Sequence, residues 1–253
     1  MKALAGKRVV ITRPSGQAEN LARLVREAGG EPLCIPAIEI LPLADPAPFQ
    51  ALAARLQVFE LAIFVSRNAV RSALALLGGK PWPPGLKVAT VGQGSREELV
   101  QSGFAQVIAP AAQSDSEALL ALPALEKVQG RRIVIFRGDG GRQLLGETLA
   151  RRGALVEYAA CYRRVRPAAT AALRDALAGR IDAVTVSSAE GLANFLEMLG
   201  EDGAGRLKET PVFVPHARVA QEAARRGLAQ VIVAGPRDAE MLAALAACFG
   251  GAG

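Results

Sequence analysis

The feature that most narrows the fold of this chain is an internal repeat. Arg8-Val9-Val10-Ile11-Thr12-Arg13 returns as Arg132-Ile133-Val134-Ile135-Phe136-Arg137, and Gly29 then matches Gly153 without a gap. Ile63-Phe64-Val65-Ser66 returns as Val184-Thr185-Val186-Ser187, and Gly103-Phe104-Ala105-Gln106-Val107-Ile108 as Gly227-Leu228-Ala229-Gln230-Val231-Ile232. Asp115-Ser116-Glu117 has its match in Asp238-Ala239-Glu240. The blocks keep their order at a spacing of 121–124 residues, so the chain of 253 residues predicts two similar domains.

Within each repeat, short apolar runs alternate with Ala- and Leu-rich amphipathic stretches. Arg8–Thr12, Leu61–Val65 and Val88–Val91 read as strands. Ala18–Ala28 carries Leu21, Leu24 and Val25 at helical spacing and is closed by Gly29-Gly30. Ser66 is placed to cap a helix that runs to Leu77, and a further helix is expected from Arg96 to Gln101. Nearly all-apolar strands separated by helices indicate parallel sheets covered on both faces, hence an α/β fold. Pro36–Pro42 and Ala160–Val165 break the alternation at equivalent places. A pair of extended linkers joining the two domains explains them, and makes the domain that holds the N-terminus discontinuous.

Composition excludes several classes. A hydrophobic fraction of 51% supports a sizeable core, and only 4% aromatic residues leave it to Ala, Val, Leu and Ile. The single His216 rules out a multi-histidine metal cluster. Cys34, Cys161 and Cys248 are too dispersed, and odd in number, for a zinc knuckle or a disulfide framework, which points to a reduced, cytoplasmic setting. No apolar run reaches the roughly 18–20 residues needed to span a bilayer, and the basic N-terminus leads straight into a strand rather than a signal-peptide core. The expectation is a soluble intracellular protein without a membrane partner. A formal charge of +6 suits an anionic ligand; its basic residues are scattered, unlike a polybasic nucleic-acid tail.

Ligands of open parallel sheets bind outside the carboxyl ends of the strands. The loops there share small residues, hydroxyls, amides and an occasional arginine: Arg13–Gln17, Ser66–Asn68, Gly92–Ser95, Arg137–Arg142, Ser187–Gly191 and Pro215–Arg218. Such loops bring backbone N–H groups and a helix N-terminus to an anion, and arginine adds a two-pronged donor. Each also serves as an ordinary helix cap. Arg137–Arg142 is the densest, with three glycines and two arginines, although Asp139 could simply pair with one of them. Tyr162 sits on a linker, where its phenol faces a cleft or packs. No P-loop, nucleophile elbow or metal-ligand spacing is present, and Gly138-Asp139-Gly140 and Gly92-Gln93-Gly94 both lack the third glycine of a dinucleotide fingerprint. No cofactor and no metal are expected.

At these residues the chain resembles the uroporphyrinogen-III synthase family. The matching pieces run in order along the chain: Ile11-Thr12-Arg13-Pro14, Phe64–Val70, Val91-Gly92, Ser116-Glu117, Phe136–Arg142, Tyr158 through Tyr162-Arg163-Arg164, Ser187–Leu192 and His216–Ala220. Gly94-Ser95 departs from the hydroxyl-bearing turn of the family. The resemblance implies two α/β domains joined by a two-stranded extended linker, with the active site in the cleft between them. Domain one is then 1–37 with 166–253, the linkers 38–42 and 160–165, and domain two 43–159.

The implied reaction cyclises hydroxymethylbilane to uroporphyrinogen III in haem biosynthesis. It loses the terminal hydroxyl as water, passes through an azafulvene and inverts ring D. By this analogy Tyr162 assists departure of the hydroxyl; a phenol titrates near about 10 and is a neutral donor at neutral pH. Ser66, Asn68, Gly92, Ser95, Ser187, Ser188 and His216 are the candidates for holding the substrate, with Arg13, Arg137 and Arg218 for charge complementarity. A monomer that makes transient contact with the upstream bilane-forming enzyme, and binds no nucleic acid, completes the expectation. The rival is a non-catalytic two-domain protein that closes on an anionic small molecule.

Overall fold

The computed structural model describes residues 2–111, 115–168, 173 and 179–250. In chain order the elements are β1 (Arg8–Ile11), α1 (Glu19–Glu27), β2 (Glu31–Cys34), β3 (Glu39–Leu41), α2 (Ala47–Ala53), β4 (Leu61–Phe64), α3 (Arg67–Leu77) and β5 (Lys87–Thr90). Next come α4 (Gln93–Gln101), β6 (Val107–Ile108), α5 (Ser116–Leu120), α6 (Pro123–Glu126), β7 (Arg132–Gly138), α7 (Leu144–Arg151) and β8 (Leu155–Val165). The last are β9 (Ala183–Thr185), α8 (Ala189–Arg206), β10 (Val212–Val214), α9 (Ala217–Arg225), β11 (Val231–Val233) and α10 (Asp238–Gly250). The chain divides into two compact units, Met1–Glu39 with Val165–Gly253, and Ile40–Arg164.

The first unit holds a sheet of order β11-β10-β9-β1-β2 and the second a sheet of order β3-β8-β7-β4-β5-β6. Every pairing among β1, β2 and β9–β11, and among β4–β8, is parallel. Successive strand residues point to opposite faces, and helices cover both, so the inner strands β4, β9 and β10 are almost wholly apolar. In the first unit Val9 and Ile11 pack with α1 and α10 through Leu21, Val25, Met241 and Leu245. Val10 faces the other way, into Val184, Leu192, Phe195 and Val219. In the second unit Phe64 stacks on Phe136 at 4.7 Å and 12° on one face, while Ile63, Ile133 and Ile135 meet Leu145 and Leu149 on the other.

The two sheets are related strand by strand through the repeat. β1 and β2 correspond to β7 and β8, and β4–β6 to β9–β11. Apart from β3, each sheet therefore takes two strands from one copy of the repeat and three from the other copy. The join falls at β1·β9 in the first sheet and β7·β4 in the second, where Val9 lies opposite Ala183 and Ile133 opposite Leu61. This pairing equates Leu61 with Ala183, so that Ser66 corresponds to Ser188, one residue away from the match to Ser187 read in the sequence. Strands buried on both faces carry no polar alternation to mark register; the backbone pairing sets it. Ser66 and Ser188 accordingly do the same job, accepting hydrogen bonds from Ala69 N (3.1 Å) and Gly191 N (3.0 Å) as N-caps of α3 and α8.

Helix α4 begins at Gln93, three residues before the start expected from sequence. Gly92 is its extended N-cap, and the Gln93 side chain donates to Pro110 O at 2.6 Å, so Gln93-Gly94-Ser95 form the first turn rather than a loop.

Both joins are clasped alike at their amino ends. Asp182 N donates to Arg8 O (3.0 Å) and its carboxylate accepts from Arg8 N (2.9 Å). Glu60 N donates to Arg132 O (2.9 Å) and its carboxylate accepts from Arg132 N (3.1 Å). The environments differ: Asp182 is buried and also meets Arg180 at 2.7 Å and Lys7 at 3.8 Å, whereas Glu60 is exposed. Asp182→Ala should therefore cost about 1–3 kcal/mol by leaving the partly buried Arg8 N–H without its acceptor, and Glu60→Ala under about 1 kcal/mol. Urea denaturation of the two variants checks this; equal losses would refute the burial argument.

Candidate functional site

The join in the second sheet is a topological switch point: from β7 the chain proceeds to β8 on one side, from β4 to β5 on the other. A crevice forms at such a point, outside the carboxyl ends of the strands. Ser66 follows β4, Gly92 follows β5, and Arg137 and Gly138 end β7. Tyr162 comes from β8, and its hydroxyl shares a hydrogen bond of 3.3 Å with Ser66 Oγ. Since Ser66 Oγ already accepts from Ala69 N, it ties the phenol to the N-terminus of an 11-residue helix.

A bulge aims Tyr162. The β7–β8 register slips between Arg137 and Gly138, so that Arg137 pairs with Ala160 but Gly138 with Tyr162. Asp139 N donates to Tyr162 O at 2.9 Å and holds the bulge. Gly138 is required here, because a Cβ would stand 2.9 Å from the Tyr162 ring. Cys161, inside the bulge, turns into the core and donates its thiol proton to Arg137 O at 3.1 Å. Burial pushes that thiol up to about 12, so it stays protonated and is no nucleophile at neutral pH.

The first unit has the same frame with different chemistry. Ile38, 124 residues before Tyr162, is buried, with Cδ1 3.7 Å from where a Gly191 Cβ would sit, beside Ser188 Oγ. Where the second unit places a phenol against its capping serine, the first places an aliphatic side chain. Burial is alike, with Tyr162 4% and Ile38 6% exposed, so packing alone does not demand a hydroxyl.

The other sequence candidates divide between the units. In the second, Asn68 lies in the first turn of α3, Gly92 caps α4, and Arg137 is buried with its guanidinium 4.9 Å from the Tyr158 ring centroid. Ser95 is buried in α4, 6% exposed. In the first, Ser187 is exposed, Ser188 caps α8, His216 is the N-cap residue of α9 without a side-chain cap bond, and Arg218 is exposed in the following turn. Arg13 is ion-paired with Asp238, which also accepts from Asn20. Sequence reasoning passed over Tyr158, Ile38 and the Asp238 partner; aligning the repeat through Tyr162 rather than only its strands would have exposed the Tyr162–Ile38 difference. Among the described residues no group of three or more His, Cys, Asp or Glu could hold a metal ion, and no helix is long and apolar enough to cross a membrane.

Comparison with known proteins bears on the fold and the family. The uroporphyrinogen-III synthase of Salmonella typhimurium is 37% identical over 159 residues, 62% of this chain and 64% of that protein, so this chain matches just under two thirds of that relative's length. The enzyme of Proteus mirabilis is 33% identical over 159 residues, 62% of this chain and 80% of that protein. The crystal structure of a mutant uroporphyrinogen III synthase from the extremely thermophilic bacterium Thermus thermophilus shares the fold with a TM-score of 0.64 at 18% identity, covering 94% of this chain and 96% of that one. The uroporphyrinogen-III synthetase of Helicobacter pylori 26695 does so with a TM-score of 0.61 at 17% identity, over 94% and 97%. The family model described as uroporphyrinogen-III synthase HemD matches residues 19–244, and the chain belongs to the uroporphyrinogen-III synthase family.

Proposed function

We propose that this chain converts hydroxymethylbilane to uroporphyrinogen III, with the Tyr162–Ser66 pair assisting the first bond cleavage. Family membership supports the reaction, and the 3.3 Å hydroxyl contact at a place where the repeat has Ile38 carries the assignment of the residues. The terminal hydroxymethyl C–O bond breaks as the neighbouring pyrrole nitrogen supplies an electron pair. The leaving oxygen takes the Tyr162 proton and departs as water, and an N-protonated azafulvenium cation remains opposite the phenolate. Charge develops on the phenol oxygen as its proton leaves. Ser66 Oγ–H can donate to that oxygen, and the α3 N-terminus adds a favourable potential of about 0.3–1 kcal/mol. The substituted carbon of ring D then attacks the azafulvene methylene to form a spiro intermediate, whose cleavage and reclosure invert the ring and release the proton that restores Tyr162.

Unaided closure gives the type I isomer, so the protein's main task is to hold the bilane for attack at the substituted carbon. Ser66, Asn68, Gly92, Ser187, Ser188, His216 and Arg218 all lie next to or in the first turns of helices that follow parallel strands. That is where N–H groups and the helix dipole suit the many carboxylates of this substrate. We infer that Arg13 and Ser95 serve the scaffold instead, the first through Asp238 and the second inside α4. The reading extends to a cytoplasmic monomer that needs no cofactor or metal and receives its unstable substrate through transient contact with the bilane-forming enzyme.

The deciding assay generates hydroxymethylbilane in situ, adds the purified chain, oxidises the products and separates the porphyrin isomers. Mostly type III product is expected; type I alone from folded protein would leave an anion-binding protein as the better reading. Tyr162→Phe should lower the type III rate by about 10- to 100-fold with an unchanged melting temperature. Cys161→Ala, which touches no proposed step, should keep the rate within about twofold while costing about 1 kcal/mol in urea denaturation. A Cys161→Ala enzyme that is folded but inactive would overturn the exclusion of a thiol nucleophile.

A further inference from the structure

We propose that the Arg137–Arg142 loop of the second unit is a carboxylate subsite centred on Arg137, and that the equivalent Arg13 of the first unit is not one. The natural ligand, an acetate or propionate of the bilane, rests on the function proposed above; the subsite itself rests on an asymmetry within the repeat.

Arg13, two residues past the end of β1, and Arg137, near the end of β7, occupy corresponding places in the repeat, and Asp238 and Asp115 correspond in turn. In the first unit Asp238 neutralises Arg13. In the second, Asp115 is the N-cap of α5, its carboxylate accepting from Ala118 N at 2.8 Å, and forms no ion pair with Arg137. Arg137 is nevertheless 9% exposed. Its Nε donates to Gly140 O at 3.2 Å, and its guanidinium lies 4.9 Å from the Tyr158 ring centroid. Both contacts hold the cation in place without neutralising it, and among the described residues no carboxylate lies within 4.0 Å of it. A buried cation needs a matching anion.

The loop brings a second guanidinium beside Arg137. Gly141 has φ 110°, and the point a Cβ would occupy is 3.0 Å from Arg137 Nη2 and 2.7 Å from Arg164 Nη2. Two guanidiniums thus pack side by side against Gly141, which lacks the Cβ that would part them, just before α7, whose N-cap Gln143 makes no side-chain capping hydrogen bond. Behind Arg137, Tyr158 is seated against Gly146 of α7, a close approach that any Cβ on Gly146 would prevent. Two neighbouring planar guanidiniums suit a carboxylate, which accepts two parallel N–H bonds.

The test uses the full chain and two probes, benzene-1,2,4,5-tetracarboxylate, which is no tetrapyrrole, and uroporphyrin III. Calorimetry on the wild type, Arg137→Lys, Arg137→Gln and Arg13→Gln should give binding weakened about tenfold or more by R137Q, less by R137K, and unchanged by R13Q. Because R137Q could loosen the loop, the wild-type Arg137 Nε–Hε resonance is followed during titration with the tetracarboxylate and should shift saturably. A folded R137Q with wild-type affinity, an unmoved Arg137 resonance, or no binding of either probe overturns the subsite. The isomer assay separates the two readings. Type III product from a chain whose R137Q variant binds and reacts as wild type keeps the activity and removes the subsite. Probe binding through Arg137 without type III product keeps the subsite and removes the activity.

Discussion

The structure depends on one kind of contact, the parallel pairing at the centre of each sheet between strands that belong to different copies of the repeat. β1 pairs with β9 and β7 with β4, each over only a few residues. Neither copy contains a complete sheet, since β1 and β2 of the first are completed by β9–β11 of the second, and β7 and β8 of the second by β4–β6 of the first. The carboxylates of Asp182 and Glu60 reinforce these joins by taking a backbone N–H from across them. The first unit therefore needs segments from both ends of the chain before it closes its core, whereas the second closes within Ile40–Arg164.

The same joins place the chemistry. Where strands of two copies meet, the chain runs off in opposite directions, and the loops that follow are left facing an open crevice. Ser66 and Tyr162 meet there because one is the N-cap of the helix after β4 and the other is carried past the end of β7 by a bulge. Bonding, helix potential and bulge each act within the second unit, so they require only that its own sheet be formed.

Duplication supplies an internal control. The two units share strand order, capping serines and left-handed glycines at Gly29 and Gly153, with φ 90° and 84°. Against that common frame, two differences carry the functional argument. Tyr162 stands where the other unit has Ile38, and Arg137 lacks the carboxylate that Asp238 gives Arg13. A side chain kept for packing would have an equivalent in both units. A hydroxyl present in only one unit at similar burial, and a buried arginine left without a carboxylate in only one, need another reason.

The repeat, the apolar strands, the capping role of Ser66 and the parallel α/β character were legible in the sequence, because they follow from local pattern: strands buried on both faces, helical spacing of Leu21 and Val25, small residues before helices. Tyr162 was legible as a candidate by its place in an extended segment. Its partner was not, since Ser66 lies 96 residues away and is brought to it by sheet pairing and a bulge. Tertiary structure also decided the register that equates Ser66 with Ser188, the exchange of strands between copies, the pairing of Arg13 with Asp238, and the burial of Ser95. Each of these is a long-range choice among nearly equivalent local options. Apolar strands fit either neighbour, and an arginine after a strand is a ligand or a strut according to whether a distant carboxylate reaches it.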